Sequence, residues 1–346
     1  MVFSVAMVLP LQGPGGIYTP AAEAVTDLAV AEINASGGIA GEQLTTVVID
    51  GGAPPGQVQT EIRQLVDQGH IQAVSGWHIS TVRHAIAPVV AGRIPYLYPA
   101  VYEGGEKRSG IYCIGEVPSA QLTPALQWLK RHRHVRRWFI VGDDYVWPRR
   151  TSMTVAGYAS ALGLDIVGAI FLRGTHQVPA ALDAVAHSSA EGVLMLMVGE
   201  NAAVFNSRFA ARSLHEKVVR LSPLMDENTL LAGGPTTTSD LYSTAGYFRS
   251  LATAEAIELQ GRYLQHEKGV APALSGPAES CYESLHTLRL LVERASSAEV
   301  KALDAVVDGT TLVSARGSVV FEGNHARQQI YLAQAAGVDF SVVAAL

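Results

Sequence analysis

Residues 73–98 read AVSGWHISTVRHAIAPVVAGRIPYLY, two short apolar runs separated by a longer amphipathic stretch. Short apolar runs are typical of buried strands, and the stretch between them has the apolar spacing of a helix. We therefore predict strands at 73–75 and 95–98 and a helix at 80–91. A helix that carries the chain between neighbouring strands indicates a parallel sheet.

The same alternation continues in both directions along the chain. Upstream, we predict strands at 3–9 and 44–50, with helices at 20–35 and 54–68. A second strand-and-helix series runs from about 121 to 221, and apolar residues at helical spacing then predict a helix from about 278 to 294, which forms a helical tail. The fold class expected from this pattern is α/β, with two doubly wound parallel-sheet lobes.

Composition limits the classes of function. The chain has 346 residues, of which 48% are hydrophobic and 16% charged, so a disordered or fibrous protein is excluded. The formal net charge of −6 provides no general attraction for nucleic acid. The one basic cluster, at 130–137, falls at a predicted helix end, where solvated cations are common. We expect no direct nucleic-acid partner.

Neither a metal, a cofactor nor a membrane span is expected. Cys113 and Cys281 match no zinc or disulfide pattern, and His132 and His134 have no third ligand nearby in the sequence. Prolines and glycines interrupt the uncharged stretch at 1–22, which also lacks a basic leader. These features predict a cytoplasmic protein. The alternative is a trimmed mature chain that is periplasmic, or extracellular and lipid-anchored.

Residues just after the predicted strands are candidates for binding, because ligands of open α/β sheets lie beyond the carboxyl ends of the strands. The turn at 76–83 delivers the hydroxyl of Ser80 and backbone N–H groups at a helix start, which suits a carbonyl or carboxylate oxygen. The alternative is that Ser80 only caps its helix. The aromatic loop at 98–104 could form a wall of the site or a packed surface.

The second series has a similar segment at 141–149, where Tyr145 and Trp147 present aromatic faces with polar tips. Asp143 and Asp144 could form a catalytic carboxylate pair, although adjacent aspartates before a helix more often interact with the helix dipole. Sequence motifs of hydrolases, zinc proteases and nucleotide-binding loops are absent. A binding protein therefore fits better than an enzyme.

The segments at 76–83, 98–104 and 141–149 resemble those of type I periplasmic binding proteins of the branched-chain amino-acid class. Within that class they look like urea-binding components of ABC transporters and amide-sensing negative regulators of bacterial amidase operons. The resemblance implies two lobes joined by a three-crossing hinge, with crossings near 118, 246 and 323–325. The implied division is 1–118 and 246–323 for lobe 1, 119–245 and 324–346 for lobe 2, and a ligand cleft between the lobes.

The resemblance also implies a set of ligand-binding residues. Ser80 matches a serine that holds the polar head of the ligand, Tyr102 matches the tyrosine of a YEG motif, and Tyr145 matches a tyrosine that contacts the ligand from the second lobe. The complete predicted site is Trp77, His78, Ser80, Ala100, Val101, Tyr102, Tyr145 and Trp147. His78, Ala100 and Trp147 depart from the amide sensors, where tyrosine, threonine and tyrosine are expected.

The resulting hypothesis is a binding protein for a small neutral amide-type ligand, namely an amide, urea or nitrile. Binding would close the cleft and signal to a partner regulator, and a homodimer is left open. The alternative is the exported substrate-binding component of an ABC transporter for urea, short-chain amides or branched-chain amino acids, with a permease as its partner. No fixed cation for a ligand carboxylate is evident in the matched segments, which favours a neutral ligand.

Overall fold

The computed structural model describes residues 2–346, and the chain folds into two compact units. The first unit runs up to Ala100 and adds Gly104–Glu116 and Ala252–Gln329. The second comprises Val101–Glu103, Val117–Leu251 and Ile330–Leu346. Each unit is described by itself below.

The strands are numbered in chain order. They are β1 (Val2–Leu9), β2 (Gln43–Asp50), β3 (Ala73–Ser75), β4 (Tyr96–Tyr98), β5 (Ile111–Cys113), β6 (Arg137–Asp143), β7 (Asp165–Leu172), β8 (Gly192–Leu196), β9 (Val219–Ser222), β10 (Leu241–Ala245), β11 (Thr311–Ser314), β12 (Gly317–Glu322), β13 (His325–Arg327), β14 (Tyr331–Ala336) and β15 (Asp339–Ala345).

The α-helices are numbered in the same way. They are α1 (Thr19–Ala35), α2 (Pro55–Asp67), α3 (Ser80–Val90), α4 (Pro118–His132), α5 (Val146–Leu162), α6 (Val178–His187), α7 (Gly199–Ala211), α8 (Glu227–Gly233), α9 (Ala254–His266), α10 (Gly276–Ala295) and α11 (Val300–Val307). None of these helices is long and apolar enough to cross a membrane, within the chain from residue 2 onward.

The first unit is built on an eight-stranded sheet in the order β11-β12-β13-β5-β4-β3-β1-β2. Strands β1 to β5 pair in parallel, as the strand–helix–strand pattern predicts, whereas β11, β12 and β13 pair antiparallel with one another. Gly38 ends the first helix with a positive φ of 77°, and a Cβ there would lie 1.8 Å from the carbonyl oxygen of Glu42. Only glycine fits that turn.

The second unit contains a seven-stranded sheet in the order β15-β14-β10-β9-β8-β6-β7. Strands β6 to β10 are parallel, and β14 and β15 add an antiparallel pair next to β10. Two α/β units with mixed, mostly parallel sheets confirm the predicted fold class. The crossings expected near 118, 246 and 323–325 stay a prediction about a hinge.

The predicted helical tail is wrong after α11, because the chain from Thr311 onward forms five strands instead. Val319 and Phe321 are buried while Ser318 and Glu322 are exposed, which is the two-residue period of a strand. The earlier apolar spacing over 278–294 does form a helix, α10. The sequence pattern predicted no strand after residue 221.

Candidate functional site

The loop after β3 is pressed against the neighbouring strand. Gly76 has a φ of 104°, and a Cβ at this position would lie 2.5 Å from the carbonyl oxygen of Val8. Only glycine permits so close an approach. The loop therefore leaves β3 in a fixed direction, and α3 begins at Ser80 with Ile79 as its N-cap residue.

Trp77 and His78 are both buried in the first unit. The ring of Trp77 packs edge-on against Tyr18, with 4.6 Å between ring centroids. His78 Nδ1 lies 3.1 Å from the carbonyl oxygen of Val8, and Nε2 lies 2.5 Å from the hydroxyl oxygen of Tyr96. Because a carbonyl can only accept, Nδ1 carries the proton and Nε2 accepts from the tyrosine. Both ring nitrogens are thus used within the unit.

Burial also fixes the charge of His78. Removal from water lowers the pKa of its imidazole to about 4, so the ring is neutral at pH 7. The hydroxyl of Tyr98 donates to the carbonyl oxygen of His78 at 2.8 Å. His78 was predicted as a ligand-binding residue. The structure places it in the loop after β3, where its ring is hydrogen-bonded to Val8 of β1 and Tyr96 of β4. Its contact with a ligand stays a prediction.

Ser80 is fully buried in the first turn of α3, one residue after the N-cap position. Its placement there differs from the capping alternative, since Ile79 is the residue with extended φ and ψ before the helix. The next residue, Thr81, has a buried hydroxyl oxygen with no hydrogen-bond partner among the described residues. A ligand oxygen at this helix N-terminus would give that hydroxyl a partner.

Ala100 follows β4 and is also buried in the first unit. A Cβ on Gly115 would lie 1.9 Å from the carbonyl oxygen of Ala100, so backbone from two loops meets closely there. Trp77, His78, Ser80 and Ala100 therefore follow two adjacent strands, β3 and β4, of the same sheet. The structure brings these four predicted residues to one edge of that sheet.

Val101, Tyr102 and Glu103 belong to the second unit. Val101 and Tyr102 are buried, and the carboxylate of Glu103 lies 3.9 Å from the guanidinium of Arg150 on α5. This short segment is thus tied to the helix that also carries Trp147. The predicted residues Val101 and Tyr102 lie in the same unit as Tyr145 and Trp147.

Tyr145 is the N-cap residue of α5, and Trp147 lies in the first turn. Their ring centroids are 6.3 Å apart. The Trp147 side chain is 1% exposed, and its Nε1–H has no hydrogen-bond partner within the described chain. One turn further along, the hydroxyl of Thr151 is buried and likewise lacks a partner among residues 2–346. The start of α5 therefore carries two hydrogen-bonding groups that a ligand could satisfy.

Asp143 and Asp144 interact with separate sets of groups. The Asp143 carboxylate accepts from the backbone N–H of Val198 at 2.8 Å and from Asn201 at 3.0 Å, while burial raises its pKa to about 7. Asp144 pairs with Arg149 at 2.7 Å and Arg173 at 3.0 Å, and these hydrogen bonds lower its pKa. The two carboxylates thus interact with different loops and helix ends.

Sequence reasoning missed Glu227, which opens α8 just beyond the carboxyl end of β9. Its side chain is fully buried, Oε1 accepts from the backbone N–H of Arg249 at 2.7 Å, and Oε2 has no partner among the described residues. Burial, and then the neighbouring charge of Asp226, raise the pKa of Glu227 to about 8. Two adjacent acidic residues, four and five positions after the end of β9, were the available signal.

Two arginines of the basic segment at 130–137 form ion pairs within the second unit. Arg133 pairs with Asp240 at 2.8 Å, and Arg137 pairs with Glu191 at 2.9 Å. No group of three His, Cys, Asp or Glu side chains within residues 2–346 could hold a metal ion. Both cysteines are buried, and neither forms a disulfide bond. The strand-end residues are therefore the strongest candidates for a binding function.

Comparison with known proteins identifies a family and a fold. The sequence profile described as periplasmic binding protein matches residues 3–339. A Rhodopseudomonas palustris solute-binding protein of an ABC transporter, in complex with 4-hydroxybenzoate, is 17% identical with a TM-score of 0.85, covering 100% of this chain and 97% of that one. A Streptococcus pneumoniae branched-chain amino-acid transporter substrate-binding protein, in complex with isoleucine, is 17% identical with a TM-score of 0.85, covering 100% and 99%.

A third similar structure is a periplasmic binding protein from Burkholderia mallei. It is 16% identical with a TM-score of 0.87, and the match covers 100% of this chain and 94% of that one. At these levels of identity the three structures establish a shared fold only.

Proposed function

This chain belongs to the periplasmic binding protein family, and we propose that it is the solute-binding component of an ABC transporter. The proteins of this family are solute-binding proteins and not enzymes. In the proposed function the chain binds a small molecule, closes around it and delivers it to a permease. The transporter function was the alternative in the sequence analysis, and the family supports it better than the regulator hypothesis.

The observation that carries the proposal is a set of buried, unsatisfied polar groups just beyond the strand ends. They are the hydroxyl of Thr81 in the first unit, and the indole N–H of Trp147 and the Oε2 atom of Glu227 in the second. A buried polar group without a partner costs about 1–3 kcal/mol, so a folded chain retains few of them without a reason. A bound solute would supply a partner to groups of this kind.

We propose that the solute is a small neutral amide-type molecule. An amide offers one carbonyl oxygen, which can accept from a donor such as the Thr81 hydroxyl or the Trp147 indole N–H, and two N–H groups, which can donate to an acceptor such as a carboxylate oxygen. A neutral solute also requires no fixed cation, and Arg83 and Arg149 are already paired with Glu106 and Asp144. A solute with four heavy atoms could gain at most roughly −6 kcal/mol, which corresponds to a Kd of tens of micromolar.

An aromatic carboxylate is the second candidate. The buried indole of Trp147 and the ring of Tyr102, both in the second unit, offer apolar surface for an aromatic ring. A branched-chain amino acid is the third, because the Oε2 atom of Glu227 could accept from an ammonium group. The three candidate solutes differ in charge, so a comparison of their binding to the chain can distinguish them.

The proposed place of action is the periplasm. The members of the family are periplasmic solute-binding proteins, and the cytoplasmic location expected from the sequence gains no support from them. The regulator partner and the homodimer stay untested predictions. A permease that docks onto the solute-bound chain is the proposed partner.

A thermal-shift screen tests the proposal directly. The panel would contain urea, acetamide, benzamide, benzonitrile, benzoate, 4-hydroxybenzoate, leucine and isoleucine. Because a solute that binds only the folded chain stabilises it, we expect a concentration-dependent rise in Tm with the amides. A rise confined to the benzoates or to the amino acids would replace the amide by that class. No rise with any of these compounds would count against all three ligand classes.

A further inference from the structure

Arg316 is a fully buried arginine in the turn between β11 and β12. Its Nε donates to Glu279 Oε2 at 2.5 Å and lies 3.7 Å from Glu283 Oε2, both on α10. Its Nη2 lies 3.4 Å from the carbonyl oxygen of Gly276, the first residue of that helix. One side of the guanidinium is therefore attached to the first two turns of α10.

The Nη1 atom of the same guanidinium makes two further contacts. It donates to Glu116 Oε1 at 3.2 Å and to Gln328 Oε1 at 3.1 Å. The amide nitrogen of Gln328 then donates to the carbonyl oxygen of Ile114 at 3.2 Å. The two segments that contain Glu116 and Gln328 are thus joined to each other and to Arg316.

These two segments are where the chain leaves the first unit. Glu116 is the last residue before the second unit begins at Val117, and Gln328 lies one residue before the passage from Gln329 to Ile330. A planar guanidinium donates in fixed directions, so it sets the position of its acceptors more strictly than a lysine would. Arg316 therefore fixes the bases of two connections against α10.

A buried ion pair that only stabilised the core would not need the contacts of Arg316 with Glu116 and Gln328. Glu279 alone would neutralise Arg316, yet three carboxylates face it: Glu116, Glu279 and Glu283. All three side chains are almost wholly buried, where unbalanced charge is costly. Burial raises the pKa of Glu279, and the charge of Arg316 opposes that rise.

We propose that Arg316 is a positioning residue for solute binding, which acts by holding the two connections rigid where they leave the first unit. Residues that absorb the backbone rotation of a closing movement lie in such connections, and their stiffness affects the rate of opening. The inference rests on the proposed function for its effect on the solute. Its structural part, the rigidity of the two segments, holds independently of any solute.

The first test needs no solute. Gln328→Ala removes the amide that joins the two segments but leaves Arg316 with its carboxylates. Hydrogen exchange of the chain should become about tenfold faster in peptides covering 111–118 and 325–331, because a hydrogen bond to a charged group is lost. The matched control is Gln59→Ala, which removes a comparable amide bonded at 2.7 Å to the carbonyl oxygen of Ala85 on α3. The control should leave both peptides unchanged.

The second test measures the dissociation rate of whichever compound of the thermal-shift panel binds. We expect Gln328→Ala and Glu116→Gln to release it about three- to tenfold faster, and Gln59→Ala to release it at the wild-type rate. Glu116→Gln keeps the size of the side chain and serves if Gln328→Ala fails to fold.

The possible outcomes separate the two proposals. Unchanged hydrogen exchange in both peptides would show that Arg316 does not hold the two connections rigid, whatever the solute. Faster exchange with an unaltered dissociation rate would overturn the role of Arg316 in binding and leave the proposed function intact. Suppose that hydrogen exchange is faster in Gln328→Ala but the wild-type chain binds none of the compounds. This result would support the rigid connections and count against the proposed function.

Discussion

The imidazole of His78 and the hydroxyl of Tyr96 form a buried hydrogen bond of 2.5 Å between the loop after β3 and the neighbouring strand β4. With Nδ1 donating to Val8, the neutral ring accepts from this hydroxyl at Nε2. A protonated imidazole would place a positive charge at a fully buried position, which is costly. The loop that carries Ser80 thus depends on the charge state of His78.

The first prediction is that stability falls on acidification through His78. Its pKa is about 4 in the folded chain and 6.5 when unperturbed. The contribution is therefore fully present above pH 6.5 and is lost as the pH falls towards 4, by roughly 3 kcal/mol. Urea unfolding at pH 7 and pH 4.5 measures it. His78→Gln, which does not ionise, should show a smaller loss than the wild type, and an equal loss would contradict the assignment.

The second prediction is that the ionisation of Glu227 lowers stability as the pH rises, which is the opposite pH dependence to that of His78. Its pKa is raised from 4.5 to about 8, so its contribution to stability is fully present below pH 4.5 and is lost as the pH rises through 8. Glu227→Gln should therefore gain stability relative to the wild type between pH 7 and pH 9. Denaturant titrations at the two pH values check this. A constant difference would show that the carboxylate is ionised and compensated throughout.

The third prediction concerns the buried indole N–H of Trp147, which has no hydrogen-bond partner among the described residues. Trp147→Phe keeps the aromatic ring but removes the N–H, so solute affinity should fall by about 1–3 kcal/mol if the solute accepts from it. Calorimetric titration gives the affinity. Trp138→Phe is the matched control, since Trp138 is fully buried in the same unit and its N–H also lacks a partner among the described residues. Equal effects in the two variants would place the solute elsewhere.

The fourth prediction is that Ser80 contributes to affinity and not to stability. Ser80→Ala should weaken solute binding by about 1–3 kcal/mol while the unfolding midpoint stays close to that of the wild type. Ser36→Ala is the control, because that hydroxyl donates to the carbonyl oxygen of Glu32 on the surface, at 2.8 Å. A loss of stability without a loss of affinity would assign Ser80 to the helix alone.

Much of the fold could be predicted because its signals are local. Pro20 at the start of α1 and the glycines at its end set the bounds of that helix, and the apolar runs set β1 to β4. The C-terminal strands were missed because their two-residue period is short and their pairing is distant. For example, His325 pairs with Cys113, more than 200 positions away.

The site was less predictable for the same physical reason. The sequence marks the strand ends at which Ser80, Tyr145 and Trp147 lie. The role of His78 depends on Val8 and Tyr96, whose contacts arise only when three strands assemble. Glu227 could not be distinguished from a surface acid until its burial was known. Arg316 acquires its partners from α10 and from two chain segments distant in sequence.

The most direct test of the central claim is calorimetric titration of the full chain with acetamide and benzamide at pH 7. The account predicts saturable binding of one molecule per chain, with a Kd of roughly tens of micromolar or weaker for the smaller amide and a clear weakening in Ser80→Ala. Absence of heat with either amide, together with saturable binding of a charged solute that Ser80→Ala leaves unchanged, would contradict it.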